Sequence, residues 1–157
     1  MKEKRVVFMG TPTFAVPVLE KLIENTNVIL VVSQPDKEVG RKKIKQMTPV
    51  KEIAVKHNIP VFQPEKIRKD YEPIMASKPD LIITCAYGQI IPEVLLNLPK
   101  LGAFNVHASL LPKYRGGAPI HWALINGEKQ TGVTIMYMDK GMDTGDMISK
   151  VIYDIKP

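Results

Sequence analysis

An asparagine and a histidine, Asn105 and His107, stand two residues apart in a stretch predicted to be a strand, residues 103–108. Side chains two apart on a strand point to the same face of the sheet. An asparagine amide can donate a hydrogen bond to a developing oxyanion, and a histidine can move protons near neutral pH. The pair therefore suits acyl transfer, although an isolated Asn-x-His is more often structural.

The turn between the last two predicted strands is rich in glycine and aspartate and includes Asp139 and Asp143. It lacks the alternate acids and terminal glutamate of an EF-hand loop, so calcium binding is rejected. One of its acids could orient His107 as the third member of a base relay. No metal is expected, because His57 and His121 have no obvious ligand partners.

Two loops near these residues have the composition of binding loops. Residues 87–91 follow an apolar strand, and Gly88 would let the backbone approach a ligand closely. Their apolar neighbours could wall a pocket for a flat ring, and an ordinary loop is equally compatible with the pattern. The second loop, residues 109–119, holds Arg115 before two glycines, where a guanidinium could bind a carboxylate or a phosphate.

The turn after the first predicted strand, Gly10-Thr11-Pro12-Thr13, leads into a helix N-terminus, a place that favours anions. It is neither a Gly-x-Gly-x-x-Gly fingerprint nor a Walker-type Gly-Lys-Ser/Thr. Dinucleotide binding and hydrolysis of a nucleoside triphosphate are therefore disfavoured, and a plain connecting turn is the preferred interpretation.

Strands and helices alternate along the chain. Continuously apolar runs predict buried parallel strands at residues 6–9, 28–32 and 81–86. Helical patterns fall between them at residues 14–23, from the N-cap Thr48 to about residue 57, and more weakly at residues 66–76. This order is typical of an α/β fold, a doubly wound, mostly parallel Rossmann-like sheet with helices on both faces. Ligands of such sheets bind at the carboxyl ends of the strands.

The second half continues the pattern and shows no linker. After the strand at residues 103–108 come a helix at residues 118–126 and strands at residues 133–138 and 147–153. Residues 1–157 are therefore expected to form one domain. The sequence ends directly after a strand, where a covering helix would be usual, so a domain truncated at its C-terminal end is expected.

Bulk composition is that of a soluble globular protein, with 45% hydrophobic and 24% charged residues. No apolar run approaches the roughly 20 residues of a membrane helix. The apolar start of the chain is too short for a signal peptide, so a cytoplasmic protein without membrane association is expected. Cys85 is the only cysteine, which excludes an intrachain disulfide, and a buried apolar role is expected for it.

Positive charge is concentrated in one stretch. The chain carries 22 Lys and Arg against 16 Asp and Glu, a net charge of +6. Between residues 37 and 51 only Glu38 opposes six cations, namely Lys37, Arg41, Lys42, Lys43, Lys45 and Lys51. Such a stretch indicates a polyanionic partner, although charge alone favours a solvated surface loop.

Four motifs occur in a fixed order: Asn105-Val-His107, Ser109-Leu-Leu-Pro-Lys-Tyr-Arg-Gly-Gly-Ala-Pro119, Gly132-Val-Thr-Ile135 and Asp143-Thr-Gly-Asp146. In these motifs the chain resembles the folate-dependent formyltransferases over nearly its whole length. Within that family it resembles the members that formylate an aminoacyl-tRNA. That closer resemblance rests on Met9-Gly-Thr-Pro-Thr-Phe-Ala-Val-Pro17 and on Ser33-Gln-Pro-Asp36 before the basic insertion.

The resemblance implies transfer of a formyl group from 10-formyltetrahydrofolate to the α-amine of methionyl initiator tRNA, without a metal. It implies a catalytic trio of Asn105, His107 and Asp143. The residues that it implies for the folate are Tyr87, Gly88, Gln89, Ile90, Ser109, Leu110, Leu111, Pro112 and Asp139. Those implied for the tRNA are Arg41, Lys42, Lys43 and Lys45.

The resemblance also implies that residues 1–157 are the front part of a catalytic domain and that a C-terminal tRNA-binding domain is absent. A monomer is expected.

Other functions stay open from the sequence. A sibling enzyme could formylate an amino sugar nucleotide or glycinamide ribonucleotide. The basic insertion argues against the sugar enzyme, and Thr11-Pro12-Thr13 lacks the glycine-rich phosphate turn expected of the ribonucleotide enzyme. A non-catalytic folate-binding module is disfavoured by the intact Asn105, His107 and Asp143. A dinucleotide-binding domain is disfavoured by the missing glycine fingerprint.

Overall fold

The computed structural model describes residues 2–107, 130–138 and 147–154. Its elements in chain order are β1 (Arg5–Gly10), α1 (Val16–Asn25), β2 (Asn27–Val32), β3 (Lys37–Val39), β4 (Ile44–Gln46), α2 (Pro49–Lys56), β5 (Val61–Phe62), α3 (Glu72–Ser77), β6 (Leu81–Cys85), α4 (Glu93–Leu96), β7 (Ala103–His107), β8 (Gln130–Tyr137) and β9 (Met147–Asp154). A short 3₁₀ turn, Thr13–Ala15, precedes α1. The predicted helix at residues 118–126 lies outside the described residues.

The main sheet has seven strands in the order β5-β2-β1-β6-β7-β8-β9. The first five strands run parallel, and β8 and β9 continue the sheet antiparallel. The carboxyl ends of the parallel strands thus lie along one side of the sheet, called the carboxyl edge below. The predicted α/β class with a mostly parallel sheet is confirmed.

Two apolar layers cover the two faces of this sheet. Alternate residues of β1 belong to different layers, because Val6 and Phe8 pack with helices α1 and α2 whereas Val7 and Met9 pack with α3 and α4. All four of these side chains are fully buried. Continuous apolar runs are expected of a strand covered on both faces, so the doubly wound arrangement follows directly from residues 6–9.

Capping residues set the starts of α1 and α2. Pro17 lies in the first turn of α1, where its missing N–H costs nothing. Thr48 is the N-cap of α2, and its hydroxyl accepts a hydrogen bond from the Lys51 N–H at 3.1 Å. Both helices agree with the sequence prediction.

The prediction of a helix over residues 66–76 was wrong in its bounds. Helix α3 begins only at Glu72, so that Pro73 falls in its first turn. Proline is tolerated there but would break the interior of a helix that began at residue 66. Residues 66–71 are not helical, and their apolar pattern arises because Ile67 is buried in the core from a turn.

Three strands went unrecognised in the sequence. The basic stretch forms the hairpin β3–β4, and residues 61–62 form the short edge strand β5. The hairpin strands have no apolar alternation because all six of their residues are exposed. Strand β5 is only two residues long, too short for a periodic pattern to be visible.

Leu19 should be a major contributor to stability, because its side chain is fully buried between α1 and the sheet. We expect Leu19→Ala to lower the free energy of unfolding by about 2–5 kcal/mol through reduced burial and a residual cavity. Leu101→Ala is the matched control, because Leu101 keeps 43% of its surface exposed, and should cost less than about 1 kcal/mol. Urea unfolding measures both, and equal losses would contradict the packing described for α1.

Candidate active site

The carboxyl edge brings together loops that are far apart in the sequence. Thr11 follows β1, Gln34 follows β2, and Tyr87 follows β6, and these three strands are neighbours in the sheet. Strand β7, which carries Asn105 and His107, pairs with β6 on its other side. Of the residues predicted to contact a substrate, Asn105 and His107 on β7 and residues 87–90 after β6 thus belong to two adjacent strands of the parallel part of the sheet.

Thr11 ties the loops of this edge to each other. Its hydroxyl donates to the Tyr87 carbonyl oxygen at 2.8 Å and accepts from the Gln34 N–H at 3.3 Å. Its own carbonyl oxygen accepts from the Val50 N–H at the start of α2, at 3.4 Å. The turn after β1 therefore has a structural role, in agreement with its interpretation as a connecting turn.

The loop after β6 is held in an unusual backbone conformation. Ala86 and Gly88 have positive φ values of +52° and +103°. A Cβ atom added at Gly88 would lie 2.7 Å from Nε2 of Gln34, closer than real contacts allow. The group that lies close to Gly88 is thus the Gln34 side chain, and the predicted approach of a ligand to this backbone stays a prediction.

Gln89 uses its side-chain amide to join this loop to residues 64–67. Its Oε1 accepts from the Ile67 N–H at 2.8 Å, and its Nε2 donates to the carbonyl oxygen of Glu65 at 3.0 Å. The same Nε2 donates to Oε1 of Gln34 at 2.8 Å. Gln89 therefore fixes the loop in place, and its predicted contact with the folate stays a prediction.

Tyr87 and Ile90, both predicted to bind the folate, differ in exposure. The Tyr87 side chain is buried in the apolar layer beside α3 and α4, whereas Ile90 keeps 69% of its surface exposed. Burial raises the pKa of the Tyr87 phenol above its usual range. Among the described residues its hydroxyl has no hydrogen-bond partner. Ile90 is thus the apolar side chain that this loop presents to solvent.

A cleft of about 330 Å³ opens beside the exposed end of this loop. Ile90 and Gln89 line one side of it. The chain after β5 lines the other, with Glu65, Lys66, Ile67 and Arg68. The cleft therefore combines an apolar wall with charged side chains of both signs.

Asn105 and His107 lie on the same face of β7. The residues between and before them, Val106 and Phe104, pack on the layer formed with α1 and α2, and alternation directs Asn105 and His107 to the opposite face. Both are half-buried. Their predicted common orientation agrees with this arrangement.

Thr84 holds the Asn105 amide. The Thr84 hydroxyl donates to Oδ1 of Asn105 at 2.8 Å, and the two residues are paired across β6 and β7. This bond fixes the orientation of the amide, in which the oxygen accepts and the N–H₂ group is the donor. Sequence reasoning missed Thr84, although a lone hydroxyl within the apolar run of residues 81–86 was the available signal.

Cys85, which follows Thr84 in β6, is buried as predicted.

Several predicted site residues fall outside the described residues. They are Asp139 and Asp143 of the acidic turn, and Ser109, Leu110, Leu111 and Pro112 of the long loop. Across residues 2–107 and the other described ranges, no group of three His, Cys, Asp or Glu side chains is placed to hold a metal ion. No helix in that part of the chain is long and apolar enough to cross a membrane.

The basic stretch leaves the body of the protein next to the same edge. Its hairpin begins three residues after Gln34, and Arg41, Lys42, Lys43 and Lys45 occupy its turn and second strand. At the base of the hairpin, hydrogen bonds from Gln63 and then from Lys51 lower the pKa of the Asp36 carboxyl. The hairpin therefore presents an exposed cluster of cations beside the predicted catalytic edge.

The model of the formyl transferase family matches residues 4–157. The chain belongs to the formyl transferase family. Two relatives are both named methionyl-tRNA formyltransferase. That of Bacillus subtilis (strain 168) is 59% identical over 155 residues, covering 97% of this chain and 49% of the relative. That of Clostridioides difficile (strain 630) is 58% identical over 149 residues, covering 93% and 48%. The chain thus spans about half the length of these relatives.

Two solved structures have the same fold as this chain. Glycinamide ribonucleotide transformylase 1 from Geobacillus kaustophilus matches with a TM-score of 0.62 at 25% identity, covering all of this chain and 85% of that one. A formyltetrahydrofolate deformylase from Pseudomonas syringae pv. tomato matches with a TM-score of 0.58 at 22% identity, covering 99% and 52%. At this level of identity the second likeness shows the fold alone.

In this formyl transferase family member, the contact between Gly88 and Gln34 can be tested by adding one methyl group. We expect Gly88→Ala to destabilise the protein more than Gly40→Ala. Both positions have positive φ, which costs about 1–2 kcal/mol for a residue with a side chain. A Cβ at Gly40 meets nothing within 4 Å, whereas one at Gly88 meets Gln34.

Thermal and urea unfolding of both variants measure the difference. Adding Gln34→Ala to Gly88→Ala should recover part of the stability, because it removes the group with which the new methyl collides. Equal destabilisation at the two glycines, or no recovery, would show that this close approach is unimportant.

Proposed function

We propose that this chain carries the front part of a catalytic domain that transfers a formyl group from 10-formyltetrahydrofolate to the α-amine of methionyl initiator tRNA. The observation that carries the proposal is the placement of Asn105 and His107 on one face of β7, at the carboxyl edge. Membership of the formyl transferase family and identities near 58% to relatives named methionyl-tRNA formyltransferase support the choice of reaction and acceptor.

The chemistry begins with attack of the neutral methionyl amine on the formyl carbon. A new carbon–nitrogen bond forms, and the formyl oxygen becomes an oxyanion in a tetrahedral intermediate. Collapse breaks the bond between that carbon and N10 of the folate, and the proton released by the amine is taken up by N10. The protein must therefore stabilise one oxyanion and move one proton.

In this proposal Asn105 and protonated His107 donate hydrogen bonds to the oxyanion, each worth roughly 3 kcal/mol in a preorganised site. The bond from Thr84 to Oδ1 of Asn105 supports this role, because it fixes the orientation of the amide that carries the N–H₂ donor. Asp143 holds His107 in its useful charge state or shuttles the amine proton through a water.

The folate is proposed to lie against the loop after β6 and the segments that contain Ser109–Pro112 and Asp139. The exposed Ile90 and the adjacent cleft support the part of this assignment that falls within the described residues. Because Gln89 is fully engaged with neighbouring loops, its contribution to folate binding is expected to be indirect.

Formyl transfer should fall by about 10²–10³-fold in Asn105→Ala and in His107→Ala, because each removes one oxyanion donor. The assay follows labelled formyl from 10-formyltetrahydrofolate onto methionyl initiator tRNA, with glycinamide ribonucleotide and a 4-amino sugar nucleotide as competing acceptors. It is run on this chain and on the full-length gene product, since the chain spans half the length of its relatives.

Asn97→Ala and His57→Ala are matched controls, because both residues are exposed and lie away from the carboxyl edge. They should keep near-normal rates. Near-normal rates in any two of the variants Asn105→Ala, His107→Ala and Asp143→Ala would contradict the catalytic assignment. Transfer of the label to a different acceptor would show that this acceptor, and not methionyl initiator tRNA, is the substrate.

The basic hairpin is proposed to bind the acceptor end of the tRNA. Arg41→Ala combined with Lys43→Ala should weaken tRNA binding and reduce the slope of log K against log salt by about 1 for each phosphate that the variant no longer neutralises. Filter binding over a range of salt concentrations measures the slope. The control is Lys56→Ala with Lys100→Ala, which removes two exposed cations away from the carboxyl edge. An unchanged slope in the hairpin variant would show that the hairpin is only a solvated surface.

A further inference from the structure

The basic hairpin has little packing of its own to set its direction. All six residues of β3 and β4 are exposed. Even its apolar cross-strand pair, Val39 and Ile44, keeps 45% and 62% of its surface exposed. Within the described chain the two strands form a separate sheet and do not join the main one. The direction of the hairpin must therefore be set at its base.

Two side-chain contacts cross the base of the hairpin. The hydroxyls of Ser33 and Thr48, which lie before β3 and after β4, are 2.6 Å apart and buried. One residue before β3, Oδ2 of Asp36 accepts a hydrogen bond from Nζ of Lys51 at 2.9 Å. Lys51 belongs to the first turn of α2. The chain entering the hairpin is thus joined to the chain leaving it.

Gln63 joins this base to the main sheet. Its Nε2 donates to Oδ1 of Asp36 at 2.6 Å and to the carbonyl oxygen of Gln34 at 3.1 Å. Gln63 directly follows β5, which is the edge strand of the main sheet. Asp36 therefore receives one hydrogen bond from the sheet and one from α2.

The ion pair at the base differs from an ordinary surface pair. The side chains of Lys51 and Asp36 are only 20% and 22% exposed, whereas the helix-surface pair of Lys21 and Glu24 is 64% and 66% exposed. Burial reduces screening by water and salt, and the additional hydrogen bond from Gln63 fixes the carboxylate. Such a contact can hold geometry in a way that exposed pairs rarely do.

We propose that Asp36, Lys51 and Gln63 form a clamp that fixes the direction in which the basic hairpin leaves the carboxyl edge. Asp36 is the positioning residue at the centre of the clamp, and it acts through the hairpin without touching a substrate. The proposal rests on the proposed function only in naming tRNA as the polyanion that the hairpin meets.

The substitution Asp36→Asn has two effects on the affinity for a polyanion, one through charge and one through the clamp, and they have opposite signs. Removing a negative charge beside a cluster of cations should by itself tighten binding to a polyanion. Loosening the clamp should weaken binding to the polyanion, because the cations no longer hold a fixed arrangement. We expect the KM for methionyl initiator tRNA to rise by about tenfold. The kcat at saturating tRNA and the KM for 10-formyltetrahydrofolate should change by less than about twofold, because the clamp does not touch the reacting groups.

Glu38→Gln is the matched control. It removes the same charge from β3, where Glu38 is exposed and pairs with Lys45 across the hairpin, outside the clamp. Its KM for the tRNA should stay constant or fall. An equal rise in both variants, or a fall in Asp36→Asn, would overturn the positioning role of Asp36.

A second measurement needs no tRNA. Spin labels at Lys45→Cys in β4 and Lys56→Cys at the end of α2 report the position of the hairpin relative to the body. Cys85, the only cysteine of residues 1–157, is buried and does not compete for the label, and any cysteine outside these residues is replaced by serine. In the full-length gene product we expect a narrow distance distribution that broadens with Asp36→Asn and stays narrow with Glu38→Gln.

The two measurements separate the clamp from the proposed function. A distribution unchanged by Asp36→Asn overturns the clamp, whatever the hairpin binds. A distribution that broadens supports the clamp. If it broadens while the parent protein formylates no tRNA, the clamp stands and the proposed function fails.

Discussion

The parallel pairing on both sides of β1 is the constraint on which the rest of the structure depends. Because β2 and β6 flank β1 in parallel, their carboxyl ends fall on one edge, and the loops that follow them must meet there. The pairing also leaves both faces of β1 to be covered, which requires the continuous apolar run of residues 6–9. A single pattern of strand pairing thus determines the core and the location of the candidate site.

Polar side chains convert this shared edge into a rigid surface. Thr11 links the loops after β1, β2 and β6, while Gln34 and Gln89 link the loops after β2, β5 and β6. Each bond satisfies a donor or acceptor that would otherwise be unpaired in a half-buried position. Together with the burial of Tyr87 and Ile67 in the core, this network preorganises the loops.

The sequence predicted those features whose causes are local. Apolar runs identified β1, β2 and β6, and the Thr48 cap with Pro49 identified α2. The amide–imidazole pair of β7 followed from two-residue spacing. Partners across the fold, such as Gln63 with Asp36 and Thr84 with Asn105, could not be predicted, because they depend on strand order and loop path. Asp143, which the family resemblance adds to the catalytic trio, lies outside the described residues and stays a prediction.

The two parts of the candidate site place different demands on the structure. An oxyanion donor must sit within a few tenths of an ångström of its target, and a paired strand such as β7 supplies that stiffness. Attraction of a polyanion by exposed cations tolerates larger displacements, and an exposed hairpin is sufficient for it. In the proposed function, the acceptor amine must reach β7, and this requires the hairpin to hold the tRNA at a defined angle. The bonds of Asp36 to the sheet and to α2 are placed where such an angle would be set.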